Sequence, residues 1–379
     1  MQRVLIAGGG VGGASLAILL GRMGVEVELF ERGTFPREKP CGEGLMPAGV
    51  EALERMGLAS AVGGAPFGGV RYIFPGFKLE GHFPSKNGRR REGRGQRRLL
   101  LDEVLFNTAA NTPGVSAYTS VNVNAPVVEN GRVTGLVVDG TVRRGDLVVA
   151  ADGLMSPIRK ALGLDLPLRR RRFGLCMHYR MKAGCEQLRW VDVFPRHGYE
   201  LYVTPLPDGE VLVAALVEAG KLSTPAESEF ARWVSAEPEL ADRLSGAEQI
   251  SELAGCSPLG ARAKSGVALG AILLGDAAGC LDPITGSGMA QAIASAELLS
   301  AYIAQNELSQ ESWIWKFERE RRAMLRGREI VTASILWLAG HPRIAAGAFQ
   351  AMRATPIVFS HIVSICGGAR ELSGAQTAS

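Results

Sequence analysis

The amino-acid sequence predicts an α/β protein: a Rossmann-like domain, a mainly antiparallel β domain interleaved with it, and helices at the C-terminus. Three observations predict this fold class. The chain opens with an apolar strand that runs into a glycine-rich turn and an apolar helix. Two further apolar strands run into glycine motifs around residues 152 and 275. The segments between these motifs have β-type patterning, with turns such as Pro207-Asp208-Gly209.

Composition limits the kind of protein that this chain can be. It has 379 residues, 46% hydrophobic and 21% charged, which excludes wholesale disorder and gives room for roughly two or three domains. The net charge of +4 is too small to indicate a nucleic-acid partner. Six cysteines without a CxxC pair argue against a zinc site and a disulfide framework, so we expect no metal. We predict neither a signal peptide nor a membrane span, and expect a cytoplasmic protein.

The first thirty residues have the pattern of a dinucleotide site. Residues 3–7 are predicted as a buried parallel strand and residues 14–23 as a helix. In the turn between them, Gly8 permits a tight bend, Gly10 lets the backbone approach a pyrophosphate, and Gly13 lets the helix lie close to the strand. The next predicted strand ends at an acidic residue, which can bind an adenosine ribose and repels a 2′-phosphate. The cofactor-binding candidates here are Gly8, Gly10, Val11, Gly12, Gly13, Glu31 and Arg32.

Two later segments repeat the change from strand to glycine turn. The first, predicted as a strand over residues 146–151, precedes Asp152-Gly153. The second, predicted as a strand over residues 268–274, runs into Gly275-Asp276-Ala277-Ala278-Gly279. The segment P-I-T-G-S-G-M follows from Pro283, and a long apolar helix is predicted after it.

The three glycine motifs, in this order, resemble those of the FAD-dependent monooxygenase superfamily, which includes para-hydroxybenzoate hydroxylase, flavin-dependent halogenases and geranylgeranyl reductases. The resemblance extends over nearly the whole chain and implies FAD bound in an extended pose. It implies that Asp276 binds the ribityl chain. It also implies that the helix start at residues 286–288 directs N–H groups at the flavin N1–C2=O edge, where a helix N-terminus stabilises an anion. The further cofactor-binding candidates are Arg98, Asp152, Gly275, Asp276, Pro283, Gly286, Ser287, Gly288 and Met289.

Two of these assignments have ordinary alternatives. Arg98 begins an R-x-x-x-D element, whose arginine contacts the cofactor in the superfamily. Arg97 is an alternative for that role, and a solvated charge at a helix start is another. Asp152 and Arg159 match positions that the superfamily links to FAD and to nicotinamide cofactors. A helix N-cap and a surface arginine are the alternatives for this second pair.

The segment 39–45, K-P-C-G-E-G-L, resembles a turn that lies near the isoalloxazine in the reductase branch of the superfamily. Glu43 stands where that pattern usually has glycine. The resemblance places Cys41 and Gly42 among the cofactor-binding candidates, and Cys41 among the residues that line the active site. The alternative for Cys41 is a small apolar residue in a tight turn.

The β domain in this superfamily covers the flavin and holds the substrate. Side chains on its inner face are the pocket candidates, although every strand also has a face that is core or solvent. Phenylalanines within residues 67–83 indicate an apolar pocket for a small aromatic or polyketide-like substrate. Glu200, Tyr202 and Thr204 replace the reductase pattern Y-x-W-x-F-P, and the halogenase element W-x-W-x-I-P is absent. The predicted strands are 69–77, 173–182, 190–194, 199–204 and 210–217, and the pocket candidates are Cys41, Tyr72, His178, Arg180 and Tyr202.

The motifs divide the chain into three parts. An FAD-binding domain is predicted over residues 1–65, 96–165 and 256–305, and a substrate-binding domain over residues 66–95 and 166–255. The remaining residues are predicted as a helical region over 306–379.

Within that C-terminal region, one long charged helix is predicted over residues 309–332, with Ser309 as its N-cap. Short amphipathic helices predicted over 334–340 and 357–366 would cap the pocket. Peripheral membrane contact is the minority alternative for them and suits a lipophilic substrate.

These observations predict an FAD-dependent monooxygenase. In such an enzyme NAD(P)H reduces the flavin, O2 adds at C4a, and the hydroperoxide delivers one oxygen atom to a small hydrophobic substrate. A flavin-dependent C=C reductase of the geranylgeranyl reductase type is one alternative. An FAD-binding electron-transfer protein without a substrate of its own is the other. Arginine-rich runs at residues 86–98 and 169–172 would attract NAD(P)H or an acidic carrier protein, or are solvated loops. Because no aromatic residues interleave with them, we expect no nucleic-acid partner.

Overall fold

The structure is a computed structural model that describes residues 2–86, 88–168, 171–185, 188–222, 225–308 and 310–368. Ser309, residues 169–170 of the second arginine run and the last eleven positions of the predicted C-terminal region lie outside these ranges. In chain order, the helices of the described residues are α1 (Val11–Arg22), α2 (Pro47–Arg55), α3 (Ala59–Val62), α4 (Arg98–Ala110), α5 (Pro157–Ala161), α6 (Ala226–Ser235), α7 (Pro238–Arg243), α8 (Gly288–Gln305), α9 (Ser312–Ala339), α10 (Pro342–Ala354) and α11 (Pro356–Cys366).

One sheet is the centre of a Rossmann-like domain. Its strand Arg3–Ala7 pairs in parallel with Glu26–Phe30 on one side and with Leu147–Ala150 on the other. Val115–Tyr118 and Ala271–Leu273 extend the sheet in parallel beyond these two neighbours. The strands Arg3–Ala7, Leu147–Ala150 and Ala271–Leu273 are nearly continuous runs of buried apolar residues, as a parallel sheet covered on both faces requires, whereas the edge strand Val115–Tyr118 is partly exposed. The predicted α/β fold class is confirmed.

The strand predicted over residues 268–274 is wrong in one respect. Val267–Ala268 and Ala271–Leu273 are separate strands that pair antiparallel, so the chain reverses at Gly270. Gly270 has a φ of +73°, and a Cβ at this position would lie 2.1 Å from the carbonyl oxygen of Val133. Because the hairpin lies within a run of apolar residues, Gly270 is the one residue in that run that indicates a turn.

Each face of the parallel sheet has its own cover. Val4 and Ile6 face the cluster formed with α1, α4 and α8. Leu5 and Ala7 point to the other face, where a small antiparallel sheet packs. Helix α1 begins at Val11 rather than at the predicted Ala14, so that Gly12 and Gly13 lie in its first turn. The strands of the small sheet are Val123–Glu129, Arg132–Val138 and Thr141–Arg144.

A second, larger sheet forms the β domain and is mainly antiparallel, as predicted. Phe194, Leu201 and Val203 on one face pack under two helices: α6, which contributes Phe230 and Trp233, and α7, which contributes Leu240. The alternate residues of the same strands face the Rossmann-like domain. The strand predicted over 69–77 is wrong, because a turn divides it in two. The strands of this sheet are Gly69–Phe74, Phe77–His82, Arg172–Arg180, Val191–Arg196, Tyr199–Pro205, Glu210–Glu218, Glu248–Gln249 and Ala254–Cys256.

Within the ranges given above, short strands form three small sheets in addition to those already described. Gly93–Gly95 pairs antiparallel with both Gly44–Leu45 and Ala65–Phe67. Ser85–Lys86 and Arg89–Arg90 form an exposed hairpin, which carries part of the first arginine run. Asp165–Leu166 pairs with Arg262–Ala263.

The C-terminal helices differ from the prediction at several points: α9 begins at Ser312 rather than at residue 309, with Glu311 as its N-cap, and α10 was not predicted. Helix α9 continues to Ala339, so the separate short helix predicted over 334–340 is wrong. The helix predicted over 357–366 is confirmed as α11, which packs on Phe77–His82. Among the described helices, none has both the length and the apolar character needed to cross a membrane.

Candidate active site

The first glycine turn contains glycines of two kinds. A Cβ at Gly8 would lie 2.3 Å from the carbonyl oxygen of Ala151, and one at Gly13 would lie 1.9 Å from that of Gly8. Gly13 therefore lets α1 lie against the end of the first strand, and Gly8 lets this turn lie against the chain at the end of Leu147–Ala150. A Cβ at Gly10 would meet only Nη2 of Arg37, at 3.8 Å. Gly10 is the N-cap of α1, so the unpaired N–H groups of this helix begin beside open space.

Helix α8 begins near the same place. Gly12, in the first turn of α1, faces Ala292, in the second turn of α8, so the two N-termini lie close together. Gly286 has a φ of +63°, and no heavy atom lies within 4 Å of a Cβ built on Gly288. Both helix ends thus present N–H groups to open space, which is an arrangement that binds anions. The predicted candidates Ser287 and Met289 flank Gly288 and are buried.

Glu31 lies at the end of its strand, as predicted. Its carboxylate accepts hydrogen bonds from the backbone N–H groups of Gly9 and Gly33, both at 2.9 Å. Arg37 lies 3.5 Å from this carboxylate, and its cation is the one that borders the space at Gly10. Nothing in the sequence marked Arg37 as a site residue. The predicted candidate Arg32 is exposed.

Arg98 is buried, so its interpretation as a solvated charge is wrong. Its Nε and Nη2 donate to the two carboxylate oxygens of Asp102, both at 2.7 Å. Burial opposes its charge, but the Asp102 carboxylate holds the pKa of Arg98 above its ordinary value. Arg97, the alternative for the same role, instead donates to Glu38 at 2.6 Å.

The second and third glycine motifs are joined by a buried arginine. Arg159 donates to the carbonyl oxygen of Ala277 at 3.0 Å and to the carboxylate of Asp165 at 2.7 Å. Its interpretation as a surface residue is therefore wrong. Ser156, not Asp152, is the N-cap of α5, since its hydroxyl accepts from the backbone of Arg159. Burial raises the pKa of Asp152, whose Oδ1 has no hydrogen-bond partner within the described part of the chain.

The turn at residues 41–43 is held from several sides. Thr204 donates to the carbonyl oxygen of Gly42 at 2.8 Å, and the N–H of Glu43 donates to Sγ of Cys41 at 3.4 Å. The Glu43 carboxylate is 2% exposed and lies 2.9 Å from Nε2 of His178. The pocket candidates Cys41 and His178 therefore meet at this turn. Arg180, two residues further along the strand, is exposed and pairs with Glu210.

Tyr202 belongs to a buried polar group that sequence reasoning did not assemble. Its hydroxyl donates to Glu200 at 2.5 Å, and Arg172 bridges Glu200 and Asp282 at 3.5 and 3.0 Å. Burial raises the pKa of Glu200, although the Arg172 cation acts in the opposite direction. Burial also raises the pKa of Tyr202, and the Glu200 carboxylate adds to that shift. Asp282 in turn accepts from the backbone N–H of Ile284, next to the start of α8.

The pocket candidate Tyr72 lies in an aromatic cluster under the C-terminal helices. Its ring centroid is 6.0 Å from that of Phe349 in α10 and 5.3 Å from that of Phe359 in α11. Burial raises the pKa of its hydroxyl. The same cluster includes Met46, beside the 41–43 turn, and Ala290 in α8.

A family model described as "FAD binding domain" matches residues 1–331. The chain belongs to this family. It is an FAD-dependent oxidoreductase of the para-hydroxybenzoate hydroxylase-like group, so the resemblance inferred from the three glycine motifs is confirmed.

Curated relatives carry two kinds of name. A menaquinone reductase from Mycobacterium tuberculosis (strain ATCC 25618 / H37Rv) is 27% identical over 334 residues, which cover 81% of this chain and 77% of that protein. A 6-methylpretetramide 4-monooxygenase from Streptomyces rimosus is 32% identical over 319 residues, which cover 77% of this chain and 73% of that protein.

Solved structures share the fold. A flavoprotein/dehydrogenase from Cytophaga hutchinsonii superimposes with a TM-score of 0.83 at 22% identity, over 97% of this chain and 93% of that one. The flavin-dependent halogenase CmlS superimposes with a TM-score of 0.79 at 22% identity, over 90% of this chain and 65% of that one.

The residues present fit FAD. Open space adjoins Gly10, Gly42 and Gly288, where the pyrophosphate and flavin edge are expected to approach the backbone. Cations border this space, since Arg37 lies beside Gly10. Lys39 lies near another cation, Arg98. The charge of Arg98 is the main cause that lowers the pKa of Lys39, and burial is the second cause. The unpartnered Oδ1 of Asp152 is a further polar atom that a ligand can satisfy.

Proposed function

We propose that this FAD-dependent enzyme is a monooxygenase that takes electrons from NAD(P)H and transfers one oxygen atom from O2 to a small aromatic or polyketide-like substrate. The observation that carries the proposal is the wall of the β domain facing the FAD-binding elements. There an apolar aromatic cluster lies next to the buried hydroxyl of Tyr202. An apolar site with a few placed polar groups is typical of a small-molecule pocket.

The replaced motif supports a substrate that carries oxygen atoms. Glu200, Tyr202 and Thr204 stand where the reductase branch has aromatic residues, and all three are directed toward the FAD-binding elements. Because the Tyr202 hydroxyl donates its proton to Glu200, its oxygen can accept a hydrogen bond from a phenol hydroxyl, whereas a plain polyprenyl chain offers no donor. The Streptomyces rimosus relative, a 6-methylpretetramide 4-monooxygenase by name, supports the same class of substrate.

In this proposal FAD supplies the chemistry, since its reduced form donates electrons and activates O2 at C4a. The chain's own residues bind and orient. The N–H groups of α1 and α8 stabilise negative charge at the pyrophosphate and at the flavin. Phe349 and Phe359 exclude water from the side of the aromatic cluster. Tyr202 orients the substrate through its hydroxyl.

The proposed partners are substrate, O2 and NAD(P)H, in a cytoplasmic setting. The exposed hairpin at Arg89–Arg90 offers cations to the phosphates of NAD(P)H or to an acidic carrier protein. The proposed domains are those set out above, with FAD-binding residues 1–65, 96–165 and 256–305.

A flavin-dependent C=C reductase is the second candidate. Two observations favour it: the reductase-type turn at residues 39–45, and the similarity to a menaquinone reductase over 81% of the chain. A reductase of this kind passes a hydride from the flavin to an unsaturated substrate and has no use for oxygen.

The test is to reduce the purified holoprotein anaerobically with NADH and with NADPH, admit O2, and follow the flavin spectrum. The flavin of a monooxygenase should be reduced promptly by NADH or by NADPH. When O2 is admitted, its absorbance should pass through a transient spectrum that differs from those of the reduced and the oxidised flavin. Slow reoxidation without a transient would contradict the proposal and favour the second candidate.

A further inference from the structure

Glu43 has a backbone conformation that favours glycine. Its φ is +53°, in the left-handed region that few non-glycine residues adopt. The reductase-type turn usually has glycine here, and this chain keeps that backbone shape with a glutamate in place. Such a conformation persists only where the surroundings fix it, and it is often found at functional sites.

The carboxylate of Glu43 is fully engaged in the interior. One oxygen accepts from the backbone N–H of Arg98 at 2.8 Å, at the start of α4. The other lies 2.9 Å from Nε2 of His178, on the strand Arg172–Arg180 of the β domain. One side chain thus joins the 41–43 turn, a helix of the FAD-binding domain and the substrate sheet.

A proton lies between Glu43 and His178 in every arrangement that the contacts allow. Ser251 Oγ accepts from the backbone N–H of His178 at 2.9 Å, and lies 3.1 Å both from Nδ1 and from the carbonyl oxygen of Glu252. In the first arrangement the Ser251 hydroxyl donates to the carbonyl oxygen of Glu252. Nδ1 of His178 must then donate to Ser251, and Nε2 shares a proton with Glu43. In the second arrangement the Ser251 hydroxyl donates to Nδ1 of His178, and Nε2–H donates to the Glu43 carboxylate.

The pair controls the shape of the turn that faces the open space. The carbonyl oxygen of Glu43 accepts from the N–H of Gln96 at 3.0 Å, and its N–H donates to Cys41. Gly42 lies between these anchors, with no heavy atom within 4 Å of a Cβ built on it. Fixing Glu43 therefore fixes the two residues expected beside the flavin.

We propose that Glu43 and His178 are a positioning pair: their shared proton locks the 41–43 turn in its FAD-binding shape and couples the substrate sheet to the cofactor site. The proposal depends on the FAD site and not on the reaction, so it holds for a monooxygenase and for a reductase alike. The competing explanation is that Glu43 is only a packing residue in a strained turn.

The test compares Glu43→Gly with a matched control, Asn130→Gly. Asn130 has a similar φ of +50° in an exposed hairpin turn, so both substitutions relieve a left-handed backbone. Three quantities are measured: the Kd for FAD by fluorescence, the visible spectrum of bound FAD, and the Tm of the apoprotein.

We expect Glu43→Gly to raise the Kd for FAD about tenfold or more and to shift the bound-flavin spectrum, while relief of the left-handed backbone offsets part of the stability that is lost with the buried carboxylate. Asn130→Gly should change neither the Kd nor the spectrum. Glu43→Gln keeps one acceptor oxygen for the N–H of Arg98, and its amide N–H can donate to Nε2 of His178, so it should restore most of the affinity. His178→Gln should weaken FAD binding as Glu43→Gly does, and the double variant Glu43→Gly/His178→Gln should be no weaker than either.

A wild-type Kd for FAD and an unshifted flavin spectrum in Glu43→Gly would overturn the proposal that Glu43 and His178 position the turn. Should Glu43→Gly fail to fold, wild-type affinity and an unshifted flavin spectrum in His178→Gln would overturn the proposal equally. A wild-type chain that does not bind FAD would overturn the cofactor site and this proposal together. Slow reoxidation without a transient, in a wild type that binds FAD, would overturn only the monooxygenase.

Discussion

The first glycine turn and the sheet of the β domain, on its face under α6 and α7, are constructed in opposite ways. At the turn, backbone atoms approach each other so closely that a Cβ on Gly13 would lie 1.9 Å from the carbonyl oxygen of Gly8. On the sheet, charged side chains are buried in pairs and groups. Asp192 has no exposed surface and lies 2.8 Å from Arg71 and 2.6 Å from Arg243.

This difference separates two ways of fixing the position of a backbone segment: close contact between backbone atoms, and charge pairing between buried side chains. The turn is determined by residues next to each other in sequence, and its function needs the absence of side chains. The sheet is determined by residues far apart in sequence, and its function needs particular side chains. Substitutions in the glycine turn should therefore destabilise the fold through steric overlap. Substitutions in the sheet should destabilise it through the loss of a charged partner.

The largest effect is expected for Gly13→Ala. The added Cβ would overlap the carbonyl oxygen of Gly8, so α1 must move off its strand, at a cost of roughly 4 kcal/mol or more. Thermal unfolding of the apoprotein, followed by circular dichroism, measures this. Gly10→Ala is the matched control, since its Cβ has space; equal Tm values for the two variants would contradict the distinction between these glycines.

A slightly smaller loss is expected for Asp192→Ala. The substitution leaves Arg71 and Arg243 without their buried carboxylate, which typically costs roughly 3–5 kcal/mol. Urea unfolding of the apoprotein measures the free energy of unfolding. The control is Glu129→Ala, whose partner Arg144 is exposed, and which should unfold like wild type. Similar losses in both variants would show that burial of the pair does not matter.

Cys41→Ala should affect turnover more than stability. The Cys41 thiol lies in the turn expected beside the flavin and accepts the N–H of Glu43. We expect kcat to change about threefold or more, with the Tm close to that of wild type. Cys185→Ala, at an exposed cysteine, is the control. Unchanged kinetics would support the alternative that Cys41 is a packing residue.

The smallest effect is a pH dependence at Glu200. Burial raises the pKa of this carboxyl above its usual value near 4.5, so the folded state holds its proton more tightly than the unfolded chain. The stability that the group contributes is full below the usual pKa and is lost as the pH rises through the folded value. Glu200→Gln cannot ionise, and its Tm should gain roughly 2–4 °C on wild type between about pH 4 and pH 8. A difference that does not change with pH would contradict the raised pKa.

The sequence predicts the glycine turns better than it predicts the buried charged groups of the β domain. Strands, glycine turns and helix starts of the FAD-binding region were predicted within a few residues, because Gly8, Gly13 and Gly286 report directly on backbone shape. The hairpin at Gly270 was missed, since its glycine lies within an apolar run.

Long-range contacts left weaker signals. The i,i+4 spacing of Arg98 and Asp102 on one helix indicates their contact but not their burial, and nothing in the sequence shows that the carbonyl oxygen of Ala277 lies within reach of Arg159. The group of Arg172, Glu200, Tyr202 and Asp282 joins distant segments, and only the replaced reductase motif pointed to two of them. Glu43 departs from the family pattern, but nothing in the sequence pairs it with His178, which the strand pattern indicates only as a pocket candidate.

The most direct measurement is an equilibrium titration of the apoprotein with FAD, for wild type, Gly10→Val and Gly288→Val. Both glycines face open space at the converging ends of α1 and α8, so valine should fill the cofactor site without disturbing the fold. We expect one FAD per chain in wild type, about 100-fold weaker binding in each variant, and apoprotein Tm values like that of Gly347→Val on the exposed side of α10. Wild-type affinity in either variant would contradict a single FAD site spanning the two helix ends.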